Sequence, residues 1–288
     1  MLRNLEKNDD TIKEMVYFLT HTLNNSFGTV PSTLRDIIER LSPEYEQKTK
    51  LINKLASLLT TFSVIETLIK TFRLYLADQQ IFESSWHQDN QGESHIELVL
   101  ALALCQTVSS VLFSPAPRVK RLLPSDTELN IKALRESFMN EIMVLELDSN
   151  NTDKLFLWLT QNLNVFSFEL EKTNAVQFQI HGIRFTFLFT ILSELIYNAL
   201  KYSNGEEKIA VTWRMTQDYY EFTIRNTFNP DSRYKRDSTQ KGLLFVNELM
   251  NRLSQSTIEY GEEKNLFTVK LAFHKTNFED NTHANIVN

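Results

Sequence analysis

Apolar side chains recur with helical spacing through the first eighty residues. Between residues 11 and 41, successive apolar residues are three or four positions apart. From Leu51 to Leu76 the spacing alternates between four and three positions over more than three heptads. Such a seam is typical of a helix packed along its whole length. The segment "SPE" at 42–44 separates the two runs and places Pro43 where a helix can begin. The pattern predicts an antiparallel helical hairpin, and two copies pairing into a four-helix bundle, so we expect a homodimer.

The pattern changes after residue 153 to short alternating runs and amphipathic helices. Alternation over four to eight residues predicts strands, whereas longer runs with a period near 3.6 predict helices. The predicted order is one helix, two strands, a long apolar helix, a two-stranded hairpin, a helix and two closing strands. Their bounds are 153–163, 165–170, 175–183, 184–203, 208–215, 219–228, 242–254, 256–260 and 266–274. The fold class predicted from this order is α+β.

Four segments follow from these patterns. We predict a helical-hairpin domain at 1–82, a helical connecting block without an assigned role at 83–152, a mixed α/β domain at 153–275 and a disordered polar tail at 276–288. Within the connecting block, residues 96–113 are apolar but barely long enough to span a membrane, and they include Glu97 and Gln106. We therefore expect a buried helix there and no membrane span.

The net charge and the cysteine content argue against several classes of protein. The net charge of −6 argues against a general nucleic-acid binder, which needs a basic face to neutralise phosphates. A single cysteine, Cys105, excludes a framework of intramolecular disulfides and a zinc cluster built from cysteines. The first residues lack the apolar core of a signal peptide. These features predict a cytoplasmic protein.

Polar residues interrupt the long apolar helix at 184–203. Glu194, Asn198 and Lys201 are spaced four and three residues apart, so they share one face. Burying a carboxylate and an amide in such a helix costs free energy unless each finds a partner. Two interpretations stay open from the residues alone: a polar edge that meets solvent or caps a neighbouring element, or a ligand site.

The segment "SELIYNALKYS" within this helix resembles the N-box of the sensor histidine kinases, whose ATP-binding domain belongs to the GHKL superfamily. The resemblance implies that Asn198 coordinates the Mg²⁺ that bridges the phosphates of ATP, an oxygen ligand suited to this hard ion. It also implies that Lys201 lies near the phosphates, with Tyr202 beside it, and that Glu194 holds the first, catalytic N-box position. The fold implied for residues 153–275 is a GHKL-type α/β sandwich.

The segment "FLTHTLNN" at 18–25 is similar to the H-box of the same family. The resemblance implies that His21 accepts the γ-phosphoryl group of ATP and exchanges it with the receiver domain of a response regulator. In the heptad register His21 faces solvent, and a neutral imidazole is a competent nucleophile at cellular pH. Asn25 matches the position that orients water when family members act as phosphatases. Thr22 stands where most members have an acidic residue.

The glycine-rich boxes of the family are reduced in this chain. Asn226, at the end of "YEFTIRNTF", takes the place of the aspartate that reads adenine, and its side-chain oxygen could accept from the adenine amino group. The second box is reduced to "QKGLLFVNEL". The resemblance implies phosphate contacts at the start of that helix and in the charged loop before it, from Arg233, Lys235, Lys241, Gly242 and Leu243.

These departures leave alternatives to a working kinase. A threonine hydroxyl at position 22 cannot act as a base near neutral pH, and the missing glycines remove close backbone approach to a nucleotide. The chain could therefore be a non-catalytic histidine phosphotransferase, a phosphatase or a scaffold with a degenerate ATP domain. A dimeric helical interaction protein is a third alternative. No sensor domain is visible, so either the chain is a fragment or a separate sensor protein signals to it.

Overall fold

The computed structural model describes residues 79–89, 94–112, 131–142, 151–172, 177–179, 182–228 and 241–278. The predicted helical hairpin with its heptad seam, and the four-helix bundle and dimer inferred from it, lie outside these residues. Within them the α-helices are α1 (Gln79–Gln88), α2 (Ile96–Leu112), α3 (Ile131–Glu141), α4 (Thr152–Trp158), α5 (Ile183–Tyr202) and α6 (Lys241–Met250), and α4 continues as a π-helical turn (Leu159–Leu163). The strands are β1 (Ser94–His95), β2 (Phe166–Leu170), β3 (Gln177–Phe178), β4 (Ile209–Met215), β5 (Tyr219–Thr227), β6 (Thr257–Glu263) and β7 (Leu266–His274).

Five of these strands form a mixed sheet in the order β2-β4-β5-β7-β6. β2 and β4 are parallel because the chain crosses over through α5 between them, and the other neighbours are antiparallel. Alternate residues of β4 and β5 are buried on one face, which is the half-buried alternation seen in the sequence. The short strands β1 and β3 pair separately, antiparallel to each other. The predicted α+β class is confirmed for this part of the chain.

One closing strand is longer than its sequence pattern indicates. The sequence places a loop at 261–265, but β6 continues to Glu263, and the turn that joins it to β7 is formed by Lys264 and Asn265. Nearly every residue of β6 is exposed because it is an edge strand. An edge strand can carry charged residues on both faces, and these charges disfavour pairing with the strands of other chains. Hydrophobic alternation therefore does not mark where this strand ends.

Helix α5 lies at the centre of the packing. Every residue from Ile183 to Leu192 is buried, and the helix contacts β5 of the sheet, α6 and α2. Within the described residues α5 is the one helix long and apolar enough to cross a membrane by length and composition, and 78% of that apolar window is buried inside the protein. The core helix of a folded domain meets the same criteria.

The block predicted as a connection shares this core. Buried side chains of α1, α2 and α3 belong to one hydrophobic cluster with those of the sheet and α5. For example, the rings of Phe138 in α3 and Trp158 in α4 meet edge to face at 5.0 Å. At the other end of the chain, a 3₁₀ turn (Lys275–Asn277) leads to a buried Phe278, so the packed body reaches into the predicted tail. The described residues on both sides of position 152 form one packed unit.

A shared core predicts that damage in α2 destabilises the sheet. Leu104 of α2 is fully buried, and Leu104→Ala should lower the free energy of unfolding by about 2–5 kcal/mol through lost burial and a residual cavity. Leu157→Ala removes the same atoms at a side chain that is 56% exposed, and it should change stability by less than about 0.5 kcal/mol. Urea unfolding followed both by helical circular dichroism and by tryptophan fluorescence is the measurement. Separate transitions for the two probes would contradict a single core.

Candidate functional site

The polar residues of α5 form a hydrogen-bonded pair. Asn198 Nδ2 donates to Glu194 Oε1 at 2.9 Å, and both side chains are partly buried. The bond links residues one helical turn apart, which is the separation at which side chains of a helix stack. It commits the amide nitrogen of Asn198 to the carboxylate. The amide oxygen accepts no hydrogen bond from the part of the chain that the structure describes.

Burial raises the pKa of Glu194 above its ordinary value. The hydrogen bond from Asn198 and the positive charge of Lys201 act in the opposite direction, because both favour the ionised carboxylate, but they do not offset the loss of solvent. A buried carboxyl group with a raised pKa beside a cation is common at functional sites and also occurs in structural ion-pair networks.

Lys201 and Tyr202 form the last turn of α5. The Lys201 ammonium lies 4.8 Å from the centroid of the Tyr202 ring, a cation–π distance, and both residues are partly buried. A cation in the last turn also interacts favourably with the negative end of the helix dipole. The two residues therefore place a positive charge one turn beyond the Glu194–Asn198 pair.

The first turn of α6 lies directly against this pair. A Cβ added at Gly242 would overlap Glu194 Oε1 and would lie 3.2 Å from Asn198 Nδ2. Any larger residue here would have to displace the end of the Glu194 side chain, so the constraint on this position comes from contact and not from a turn. The first N–H groups of a helix have no partner within it and carry partial positive charge. Leu243 follows and is partly buried.

Asn226 lies near the carboxyl end of β5. Its side chain is 3% exposed and lies on the same face of the strand as Tyr220, Phe222 and Ile224. Nδ2 of Asn226 donates to the carbonyl oxygen of Thr227 at 3.1 Å. Its Oδ1 accepts no hydrogen bond within the described ranges.

A polar contact that sequence reasoning missed joins the end of β5 to the loop after α5. The backbone N–H of Asn204 donates to the carbonyl oxygen of Thr227 at 3.1 Å, and the Thr227 hydroxyl donates to Asn204 Oδ1. Gly205 follows with φ 78°, a left-handed conformation that glycine adopts without strain. The Asn-Gly dipeptide signals a turn, but nothing in the sequence indicates its partner across the strand. The contact holds the strand end that carries Asn226 beside the end of α5.

The structure thus brings Glu194, Asn198 and Gly242 into contact, and it places Asn226 on a strand that packs against α5. Lys241 is the first residue of α6, but its side chain is outside the described part of the chain. The remaining predicted site residues, which are His21, Thr22, Asn25, Arg233 and Lys235, also lie outside it, so their roles stay predictions.

Comparisons with known proteins return histidine kinases at the level of structure alone. No protein-family model and no curated protein sequence matches the chain. Histidine kinase AdeS of Acinetobacter baumannii is 14% identical over 88% of this chain and 98% of its own, with a TM-score of 0.34. A histidine kinase from Burkholderia phymatum is 13% identical over 88% and 97%, with a TM-score of 0.39. The catalytic domain of histidine kinase ThkA is 16% identical over 42% and 86%, with a TM-score of 0.32. At these identities and TM-scores the likeness carries no argument about activity.

The contact between α6 and Glu194 can be tested by a double-mutant cycle. Gly242→Ala should lower the free energy of unfolding by about 1–3 kcal/mol, because the new methyl group overlaps the carboxylate. In a Glu194→Ala background the same substitution should be neutral or stabilising, since alanine is the better helix former. Gly261→Ala is the control, because a Cβ there meets nothing within 4 Å. Equal costs of Gly242→Ala in both backgrounds, measured by urea unfolding, would contradict the contact.

The raised pKa of Glu194 predicts a pH dependence of stability. The folded state holds this proton more tightly than the unfolded chain does, so stability falls as pH rises from the ordinary carboxyl pKa of 4.5 through the raised value in the folded protein. Glu194→Gln keeps an acceptor for Asn198 but has no titrating group. The variant should therefore lose this part of the slope and be more stable than the wild type at neutral pH. Thermal unfolding across a pH series measures both, and parallel curves for the two proteins would contradict the shift.

Proposed function

We propose that the chain is a histidine kinase-like signalling protein. In this proposal it binds ATP with Mg²⁺, phosphorylates itself on His21 and passes the phosphoryl group to an aspartate of a response-regulator receiver domain, as a cytoplasmic homodimer. The observation that carries the proposal is the contact of the first turn of α6 with the Glu194–Asn198 pair of α5. By the sequence resemblance, Glu194 and Asn198 belong to the N-box and Gly242 belongs to the second glycine-rich box, which are separate ATP-binding motifs.

The chemistry of this cluster fits a phosphate ligand with a divalent cation. Asn198 offers an amide oxygen, because its nitrogen is held by Glu194. Amide and phosphate oxygens with water are the ligands that Mg²⁺ favours. The N–H groups of the first turn of α6, which have no partner within the helix, and the ammonium of Lys201 are assigned to the phosphate oxygens. A carboxylate next to the start of a helix can simply cap that helix. Such a cap needs only Glu194, whereas here Asn198 is hydrogen-bonded to the same carboxylate.

Base recognition is assigned to Asn226. Because Nδ2 of Asn226 is held by the carbonyl of Thr227, its Oδ1 is oriented as an acceptor, which suits the amino group of adenine. A neutral amide gives a weaker bond than the aspartate found in most of the resembled family, since hydrogen bonds to charged groups are the stronger ones. We expect adenine to be preferred over guanine, whose ring presents a carbonyl at the equivalent position.

The reaction needs positioning and charge neutralisation more than covalent chemistry from the protein. In the proposed step the bond between the γ-phosphorus and its bridging oxygen breaks, and a P–N bond forms on the imidazole of His21. ADP leaves with the bridging oxygen, and the imidazole proton passes to solvent. Lys201, Lys241, Arg233 and Lys235 are assigned to charge neutralisation, with Tyr202 and Leu243 flanking the nucleotide. Asn25 is assigned to orienting the attacking water when the protein acts as a phosphatase, a hydrolysis separate from this transfer.

A second function is favoured by the residue at position 22 and by the missing glycines of the glycine-rich boxes. Thr22 lacks the carboxylate that would polarise His21, and without the glycines the backbone cannot approach a nucleotide closely. A non-catalytic histidine phosphotransferase, or a phosphatase or scaffold, would need His21 and the helical hairpin without nucleotide turnover. The receiver domain of a response regulator is the expected partner in either case.

Incubation with γ-labelled ATP and Mg²⁺ tests the proposal. We expect an alkali-stable, acid-labile label that is lost in His21→Ala, while the thermal stabilisation by ATP is kept in that variant. Asn198→Ala should lose at least about tenfold in ATP affinity, equivalent to about 1.4 kcal/mol. Asn251→Ala, at an exposed position after α6, is the matched control and should bind like the wild type.

The two proposed functions separate in this experiment. ATP binding without any label, together with acceptance of a phosphoryl group from a phosphorylated receiver domain, would favour the non-catalytic protein. A label that persists in His21→Ala would overturn the assignment of His21. Absence of binding to ATP and to any receiver domain would overturn both functions.

A further inference from the structure

The loop after α5 is hydrogen-bonded to the end of β5 by the side chains of Asn204 and Thr227, a contact called here the Asn204–Thr227 clasp. The Thr227 hydroxyl donates to Asn204 Oδ1 at 2.5 Å and accepts from the backbone N–H of Glu207 at 3.4 Å. Asn204 Oδ1 also accepts from the backbone N–H of Glu206 at 3.1 Å. Because a backbone N–H can only donate, these bonds fix which atom donates and which accepts throughout the clasp.

The backbone carbonyl of Thr227 accepts two hydrogen bonds. One comes from the backbone N–H of Asn204 and the other from Nδ2 of Asn226, both at 3.1 Å. The first of these bonds belongs to an antiparallel bridge between Ser203 and Phe228, so it ties the direction of the carbonyl to the loop. The side chain of Asn226 is therefore oriented by a carbonyl that the loop itself holds.

An asparagine needs this orientation, whereas an aspartate does not. Half a turn of the Asn226 amide exchanges its acceptor oxygen for its donor nitrogen and leaves its shape almost unchanged. An aspartate at the same place has two equivalent oxygens and accepts in either orientation. With Nδ2 of Asn226 on the Thr227 carbonyl, the opposite end of the amide is the acceptor Oδ1. The reverse orientation would place two acceptor oxygens against each other.

We infer that Asn204 and Thr227 are positioning residues that set base specificity through Asn226. The inference rests on the proposed function, in which Asn226 reads the base. The clasp holds the carbonyl that binds Nδ2 of Asn226, so that Oδ1 accepts from the amino group of adenine. A reversed amide would donate through Nδ2 and would favour a purine with a carbonyl in place of that amino group, as in guanine and hypoxanthine. The clasp thus selects an aminopurine over an oxopurine.

Burial makes reversal of the Asn226 amide costly. Along β5 the side chains that alternate with the buried face, such as Thr223 and Arg225, keep contact with solvent, but Thr227 on the same side is only 1% exposed because the loop covers it. Asn226 is 3% exposed. A hydrogen bond lost in such surroundings is not readily replaced by water, so the unpaired group keeps its full desolvation penalty. The turn at Asn204 alone does not require Thr227, since Glu206 already donates to Oδ1.

Calorimetric titration of the full chain with ATP and with inosine triphosphate, each with Mg²⁺, tests the inference. Inosine triphosphate carries a carbonyl in place of the adenine amino group. Thr227→Val removes the hydroxyl but keeps the shape of the side chain, and Thr223→Val on the same side of the same strand is the matched control. We expect Thr227→Val to lower the preference for ATP by about three- to tenfold, the change that one hydrogen bond corresponds to. Thr223→Val should leave the preference unchanged.

Asn226→Asp supplies a readout that a general loss of stability does not change. Because the two oxygens of an aspartate are equivalent, the clasp should no longer affect base preference in this background. Thr227→Val should then change the ratio of the two affinities by less than about twofold, the limit within which independent sites add. An equal loss of preference with and without Asn226→Asp would overturn the inference.

The orientation of the Asn226 amide can also be measured without nucleotide. In protein made with isotope-labelled asparagine, NMR follows hydrogen exchange of the side-chain amide, and the signal of Asn226 is identified by its loss in Asn226→Asp. We expect Thr227→Val to speed this exchange by about fivefold relative to Thr223→Val. Equal exchange in the two threonine variants would overturn the role of the clasp.

Failure of the inference and failure of the proposed function give different results. Absence of binding to either nucleotide would overturn the proposed function and with it the role in base specificity, whatever the amide exchange shows. Binding of both nucleotides with the same preference in wild type, Thr227→Val and Thr223→Val would overturn the inference alone. If Thr227→Val does not fold, Asn204→Ala removes the acceptor of the same hydrogen bond and replaces it with the same readouts.

Discussion

Helix α5 is buried on nearly all sides and yet carries two ionisable side chains, the buried Arg184 near its start and the partly buried Glu194 past its middle, and the rest of the structure depends on how these two are satisfied. Near its start, Arg184 is enclosed by the carbonyl of Trp86 and by the rings of Trp86 and Phe278. Ten residues on, Glu194 is satisfied by Asn198 and covered by α6. An unpartnered polar group at either place would cost about 1–3 kcal/mol. The helices α1 and α6 and the residues after β7 are therefore fixed in position by polar contacts as much as by apolar packing.

Much of this architecture could be predicted from local patterns. The hairpin of β4 and β5, the long helix before it and the strand β7 were identified within one or two residues, because alternation and helical periodicity reflect burial on one face. The contacts of α1 could not be predicted. Trp86 and Arg184 are separated by 98 positions, and Trp86 and Asn277 by 191, so no periodicity connects them. The last three residues of β6 were not predicted because an exposed edge strand has no buried face to produce a pattern.

The candidate site could also be predicted from the sequence only in part. The spacing of Glu194, Asn198 and Lys201 placed them on one face of a helix, and a resemblance between short motifs suggested that Gly242 and Asn226 belong with them. The sequence could not indicate that Gly242 contacts the carboxylate directly, because that depends on the approach of two helices 40 residues apart. The roles of Asn204 and Thr227 depend on a similar long-range contact. The clearest physical reason for the glycine at position 242 is thus the space that Glu194 occupies.

A crystal structure with Mg²⁺ and a non-hydrolysable ATP analogue would test the central claim most directly. Glu194, Asn198 and the first turn of α6 are held together by one hydrogen bond and one close backbone approach, and both can change when a phosphate ligand enters. We expect a metal ion bound by Oδ1 of Asn198, phosphates at the first turn of α6 and adenine against Oδ1 of Asn226. A nucleotide bound elsewhere, or no nucleotide at saturating concentration with the Glu194–Asn198 contact unchanged, would contradict it.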